Sequence, residues 1–179
     1  MDAIDLILFT HLAAMVGLFS ALAIEGVTLR FLRNATSYEQ ARAWIGAWRL
    51  LPALGAPSLV IGLASGIYLA TVLGLWAFGW TRIAVPTLVV VAVLGAILAP
   101  HRKRVQAAIG SHAGALPIAL QAQLRHPLEA ASWRLRAAML LGLMFEMTLK
   151  TDAGLLTMAP FAFAGVVGAA AAWRAHGES

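Results

Sequence analysis

Hydrophobic positions along this chain fall in long unbroken blocks and not in the alternating or short periodic patterns of a soluble domain. Residues 4–29 are interrupted by Asp5 at the start and then by Thr10, His11, Ser20, Glu25 and Thr28, residues 54–78 carry no charge, and residues 83–99 are apolar apart from Thr87 and are followed by Pro100. A helix crosses the ~30 Å hydrocarbon core of a bilayer in about 20 residues, so each block predicts one span. Residues 137–173 are also nearly continuous apolar sequence, broken around Lys150-Thr151-Asp152-Ala153-Gly154. As a single helix that stretch would be roughly 55 Å long, close to two crossings. A polar break containing glycine predicts a helical hairpin with spans at 132–150 and 154–173, a re-entrant fourth segment being the alternative. The pattern predicts an all-α transmembrane helical bundle of about five spans, forming one domain over residues 1–179.

Between the first two spans, Ser37-Tyr38-Glu39-Gln40 has capping-box spacing. After it, Ala41, Trp44, Ile45 and Trp48 share a helical face that excludes Glu39, Arg42 and Arg49. That predicts an amphipathic helix over 38–50 lying at the headgroup level, followed by Pro52 and Pro57 at the start of the second span. The connection between spans three and four contains Gly110, Gly114, Pro117 and Pro127, which predicts short helices with breaks. Small residues recur every four positions (Ala13, Gly17 and Ala21; Gly62 and Gly66; Ala92 and Ala96; Gly165 and Ala169), as close helix packing in lipid requires.

Composition agrees with the bilayer as solvent. Hydrophobic residues make up 61% of the 179 and charged residues only 12%, against about 25% charged in soluble domains. Mean hydropathy is +0.82. The formal charge of +5 does not point to nucleic acid, because the basic residues lie between apolar runs. Arg30, Arg33, Arg42, Arg49, Arg102, Lys103, Arg104, Arg125, Arg134, Arg136 and Arg174 fall on one side of the predicted topology, and only Arg82 and Lys150 on the other. The positive-inside rule places the first set in the cytoplasm, with the N-terminus outside and the C-terminus inside. The abundance of arginine over lysine and of alanine suggests a bacterial inner membrane. The leader Met1-Asp2-Ala3-Ile4-Asp5 lacks the positive region of a signal peptide, so the first run is read as a retained span despite Ala21-Leu22-Ala23. Cysteine is absent, which excludes disulfides and thiolate chemistry. Expected partners are the lipid bilayer and a second copy or a membrane subunit.

Ionisable residues within spans are costly in hydrocarbon and therefore mark candidate sites. His11, Leu18 and Glu25 share a face of the first span; Arg136, Leu143, Glu146 and Lys150 share a face of the fourth. The two helices run antiparallel, which permits two polar pairs, His11 with Glu146 and Glu25 with Arg136. These are either satisfied structural pairs or a site opening outward, with His11 as ligand or proton acceptor and Glu146 orienting it. Met144, Met147 and Met158 add soft donors of the kind that bind Cu(I) or haem iron, although methionine in such helices usually only packs. His101, His112, His126 and His176 fall on the opposite side from His11, so no metal-ligand set is predicted, and no catalytic constellation is present.

His11, Gly17 and Arg30 in the first span, Ser65-Gly66-Ile67-Tyr68-Leu69 in the second, Trp76 and Trp80 before the third, and Met147-Thr148-Leu149-Lys150 before the last resemble small bacterial membrane proteins. These are the proteins around copper-resistance protein CopD and the HemJ-type protoporphyrinogen oxidases, including an uncharacterised branch of predicted integral membrane proteins. The resemblance implies His11 as a haem ligand and Lys150 as a functional lysine. Three functional readings follow: a non-enzymatic or accessory membrane bundle, a haem- or porphyrin-linked redox protein using His11, and a transporter of a small solute or metal such as copper.

Overall fold

The computed structural model describes residues 2–149 together with Ala162 and Val166, and the described chain is helical apart from short connections. Its long elements are α1 (Ala3–Asn34), α2 (Tyr38–Val72) and α3 (Gly79–Ile97), followed by α4 (Ala99–Ile109), the short α5 (Ile118–Leu124) and α6 (Pro127–Leu149). α1, α2 and the run from α3 through α4 are each long and apolar enough to cross a membrane. Their outward faces carry Phe9, Val16, Val60 and Ile97, each more than 60% exposed. Bare side chains of this size suit a lipid surround and would be a liability in water.

Local chemistry sets the helix ends. The Asp5 carboxylate accepts a hydrogen bond from the Asp2 N–H at 3.0 Å, and acidic groups at this end complement the helix dipole. Ser37 caps α2 by accepting from the Gln40 N–H at 3.3 Å, whereas the Gln40 side chain reaches one residue further back than a capping box, to the Thr36 N–H at 2.9 Å. α2 ends at Val72 with Leu73 as its C-cap, and Gly74 follows with φ +66°, the left-handed position that glycine occupies after a helix.

α1 and α2 form the central hairpin. Their small residues interlock in antiparallel order: Gly17 abuts Ser58, Gly55 faces Ala21, Gly62 lies against Ala14 and Met15, and Gly66 against His11. α3 and α6 pack antiparallel against each other, α6 also against α1 and α3 also against α2. Leu18 and Leu22 of α1, Leu88 and Val91 of α3, and Met139 and Leu143 of α6 belong to one buried cluster. The Ser132 hydroxyl donates to the Leu94 carbonyl at 3.1 Å, and the Trp133 indole N–H donates to the Leu22 carbonyl at 2.8 Å.

The expected headgroup-level helix over 38–50 is not a separate element. It runs without a break into the following apolar segment, so Pro52 and Pro57 lie inside one helix of 35 residues. Its tryptophan face is covered by the chain itself: Ala41, Ile45 and Trp48 are buried in a cluster with Leu32, Val105, Ile109 and Leu120. A short clamp holds this end together. The Tyr38 N–H donates to the Gly114 carbonyl at 2.9 Å and the Leu116 N–H to the Thr36 carbonyl at 2.9 Å. Arg42 donates to the carbonyls of Gly110 and His112, and Arg125 to that of Arg33. Several of the arginines counted as topology signals therefore also act as carbonyl clamps. Residues 132–149 of the predicted span at 132–150 fall within α6, which starts earlier, at Pro127; Lys150 lies outside the described residues. The predicted span at 154–173 lies outside the described residues, apart from the two helical positions Ala162 and Val166.

Two glycines test this packing. A side chain at Gly26 would overlap the Trp133 ring, whereas nothing lies within 4 Å of one at Gly46. Gly26→Val is expected to destabilise the bundle by about 1–3 kcal/mol. Gly46→Ala, in an exposed helix interior, is expected to stabilise it by up to about 1 kcal/mol. Thermal unfolding in mild detergent separates the two.

Candidate functional site

α1, α4 and α6 meet around a buried network of two carboxylates and two guanidiniums. Arg136 grips Glu25 with both terminal nitrogens, Nη2 donating to Oε1 at 2.5 Å and Nη1 to Oε2 at 2.9 Å. Arg102 bridges the two acids: its Nη2 donates to Glu25 Oε1 at 2.5 Å and to Glu129 Oε2 at 2.7 Å, and its Nε to Glu129 Oε2 at 3.0 Å. Glu25, Glu129 and Arg136 are each less than 8% exposed. The Arg102 guanidinium also sits over the Trp48 ring, 5.6 Å from its centroid, where the ring face attracts a cation. Charges taken out of water are tolerated only when paired and hydrogen-bonded. Here two positive and two negative groups meet both conditions.

The local sequence explains the convergence. Glu25 is one of the buried positions of α1, alongside Leu18, Leu22 and Leu29. Arg136 is on the α6 side that packs against α1 and α3, with its Nη1 beside Gly95, where a Cβ would lie at an ordinary contact distance of 3.6 Å. Arg102 comes from the first turns of α4, directly after α3. Of the pairs expected from helical phase, Glu25 with Arg136 is formed. Arg102 and Glu129 join it unforeseen. The sequence reads Arg102 only as one of the basic residues that set topology, and places Glu129 in a connection expected to break.

His11 makes contacts that its phase did not suggest. Its Nδ1 lies 3.0 Å from the Gly62 carbonyl and 3.1 Å from Ser65 Oγ, both on α2. A carbonyl only accepts, so Nδ1 carries the proton and Nε2 keeps a lone pair. The Ser65 hydroxyl donates in turn to the Ile61 carbonyl at 2.6 Å, which leaves its oxygen free to accept from His11. Through Nδ1, His11 is therefore tied to α2. Glu146 is buried on α6, 2% exposed. Lys150 lies outside the described residues.

Two cavities adjoin these groups. One, of about 840 Å³, is lined by His11, Met15, Trp76, Trp80, Met144 and Met147 among other mostly apolar residues, and none of its lining residues is an arginine or lysine. The other, of about 610 Å³, runs between α2 and α3 and ends at Glu25, Arg102 and Arg136. Among the described residues, no group of three or more His, Asp or Glu side chains is arranged to hold a metal ion. Outside the bundle interior, the Gly114 N–H donates to the Glu39 carboxylate at 3.0 Å and holds its pKa below the usual carboxylate range.

Adjacent residues of one basic run should behave very differently. Arg102→Gln leaves two buried carboxylates short of a partner and is expected to cost about 3–5 kcal/mol. Arg104→Gln, at an exposed position, is expected to stay within about 0.5 kcal/mol of the parent. Unfolding free energies in detergent check both; equal effects would contradict the geometry.

No protein-family model, no curated protein and no solved structure matches this chain.

Proposed function

We propose that the protein is a five-span integral component of a bacterial inner membrane, with its N-terminus outside and its C-terminus in the cytoplasm. It acts as a non-enzymatic helical bundle, alone, as a homo-oligomer or as an accessory subunit. The carrying observation is the mutual neutralisation of Glu25, Glu129, Arg102 and Arg136. A group that relays protons or activates a substrate must change its charge or its partners during the cycle. Glu25 is held by three short guanidinium bonds and is instead a structural tie. The same bonds weigh against a cation-transport route, since a cation passing Glu25 would meet two arginines. The orientation rests on the basic residues gathered around the clamp and α4.

A second reading has one observation in its favour. Nδ1 of His11 is tied to a carbonyl, the arrangement that orients ligating histidines, and His11 lines the 840 Å³ apolar cavity with Met144 and Met147. A haem or porphyrin fits these residues in part. His11 Nε2 would hold the iron, and a thioether is an acceptable second ligand. The lining offers no arginine or lysine for propionates. Bound haem would supply one-electron chemistry, and the chain's own residues would orient the imidazole and exclude water.

Two measurements check these readings. After expression with ample haem, the purified protein is expected to show a flat visible spectrum; a Soret band that His11→Ala removes would replace the first reading with the second. Because the chain has no cysteine, single substitutions report topology. In intact cells a membrane-impermeant thiol reagent is expected to label Ala3→Cys at once and Ser111→Cys only after permeabilisation. The opposite pattern would overturn the orientation.

A further inference from the structure

The cleft between α2 and α3 has two unlike halves. Its walls are apolar and small: Leu51, Gly55, Leu59 and Val60 on α2 face Val91, Ala92, Gly95 and Ala96 on α3. With only Gly55, Ala92, Gly95 and Ala96 at these positions, no large side chain fills the space, whose volume is about 610 Å³. Its end is cationic. Arg49, Lys103 and Gln106 line it together with Arg102.

The cations at that end are not equivalent. Arg102 is neutralised by Glu25 and Glu129 through Nε and Nη2, and its Nη1 is not used in those bonds. Arg49 and Lys103 are exposed, and the three ion pairs formed among the described residues use neither. With Arg102 and Arg136 already balanced by two carboxylates, the mouth of the cleft carries a net excess of two positive charges. From Ala99 to Val91 the apolar wall extends roughly 12 Å along the helix. Two uncommitted cations and an amide donor thus sit at the end of a hydrocarbon-lined groove, on the side of the bundle where basic residues gather. Basic pockets between membrane helices bind anionic lipid head groups in this way.

We propose that this cleft is a binding site for an anionic phospholipid, its phosphodiester held by Arg49, Lys103 and Gln106 and one acyl chain lying between α2 and α3. The inference rests on the reading of these helices as membrane-spanning, and not on the orientation or on any activity. The buried network has a part here too, since it holds Arg102 at the end of the cleft and leaves the charge excess to the exposed Arg49 and Lys103. A zwitterionic lipid would bring its own cation against Arg49 and Lys103 and gain less. A free anion would gain no apolar contact.

The test uses the full chain purified in mild detergent. Binding of phosphatidylglycerol, phosphatidylcholine and water-soluble glycerol phosphate is compared by native mass spectrometry and by the shift each causes in thermal unfolding. Phosphatidylglycerol is expected to bind and raise the unfolding temperature, with phosphatidylcholine weaker and glycerol phosphate without effect. Arg49→Gln combined with Lys103→Gln is expected to weaken phosphatidylglycerol about 30-fold. Ala96→Phe, which fills the groove at an exposed position, is expected to abolish tight binding with both cations intact. Three results would overturn the proposal: equal binding of the two lipids, phosphatidylglycerol binding unchanged in both variants, or an effect of glycerol phosphate matching that of the lipid. A chain that stayed soluble without detergent would instead refute the membrane reading, and differential extraction detects that separately.

Discussion

The buried joint of Glu25 with Arg136 and Arg102, extended to Glu129, is the constraint on which the rest of the bundle depends. Hydrophobic attraction does little to hold helices together in lipid, because lipid tails are as apolar as leucine. Two forces remain, close van der Waals packing and polar bonds across helices. The α1–α2 hairpin uses the first, through Gly17, Ser58, Gly62 and Gly66. The joining of α1 to α4 and α6 uses the second. Without the network, α6 would keep its apolar contacts with α3, but its Glu129 and Arg136, like Glu25 of α1 and Arg102 of α4, would be left without compensation. The network also brings Arg102 beneath Trp48 and thereby places the basic mouth of the α2–α3 cleft.

Much of this was legible in the sequence, and the reasons are physical. Apolar blocks long enough to cross a bilayer predicted α1, α2 and α3 as helices but not their ends, since α1 and α2 run on to 32 and 35 residues. The pairing of Glu25 with Arg136 followed from helical phase and antiparallel direction, since both lie at the same depth on facing sides. The continuity of α2 through Pro52 and Pro57 was not legible. Proline weakens a helix locally, but packing of Ile45, Trp48 and Leu51 on one side of the prolines and of Ser58 and Gly62 on the other carries the helix through.

The polar residues that the sequence placed differently were misread for separate reasons. Composition assigns a basic run such as Arg102-Lys103-Arg104 to the surface as a block, whereas a helix turns each residue by about 100°. Arg102 therefore faces inward while Lys103 and Arg104 face outward. Glu129 was hidden because α6 starts at Pro127, a favoured first position for a helix, inside a stretch read as connection. His11 was matched by depth to Glu146, but the closeness of α1 and α2 at Gly62 and Gly66 gives its Nδ1 acceptors on α2.

The most direct test of this account is a double-mutant cycle on Glu25→Gln and Arg136→Met, read as unfolding free energy in detergent. If the two groups form a buried ion pair, each single change leaves the other side of the joint uncompensated, and the double change costs much less than the sum of the singles. A coupling energy of about 2 kcal/mol or more is expected. Additivity within about 0.5 kcal/mol would mean that the two side chains do not meet, and that α1 and α6 are joined in some other way.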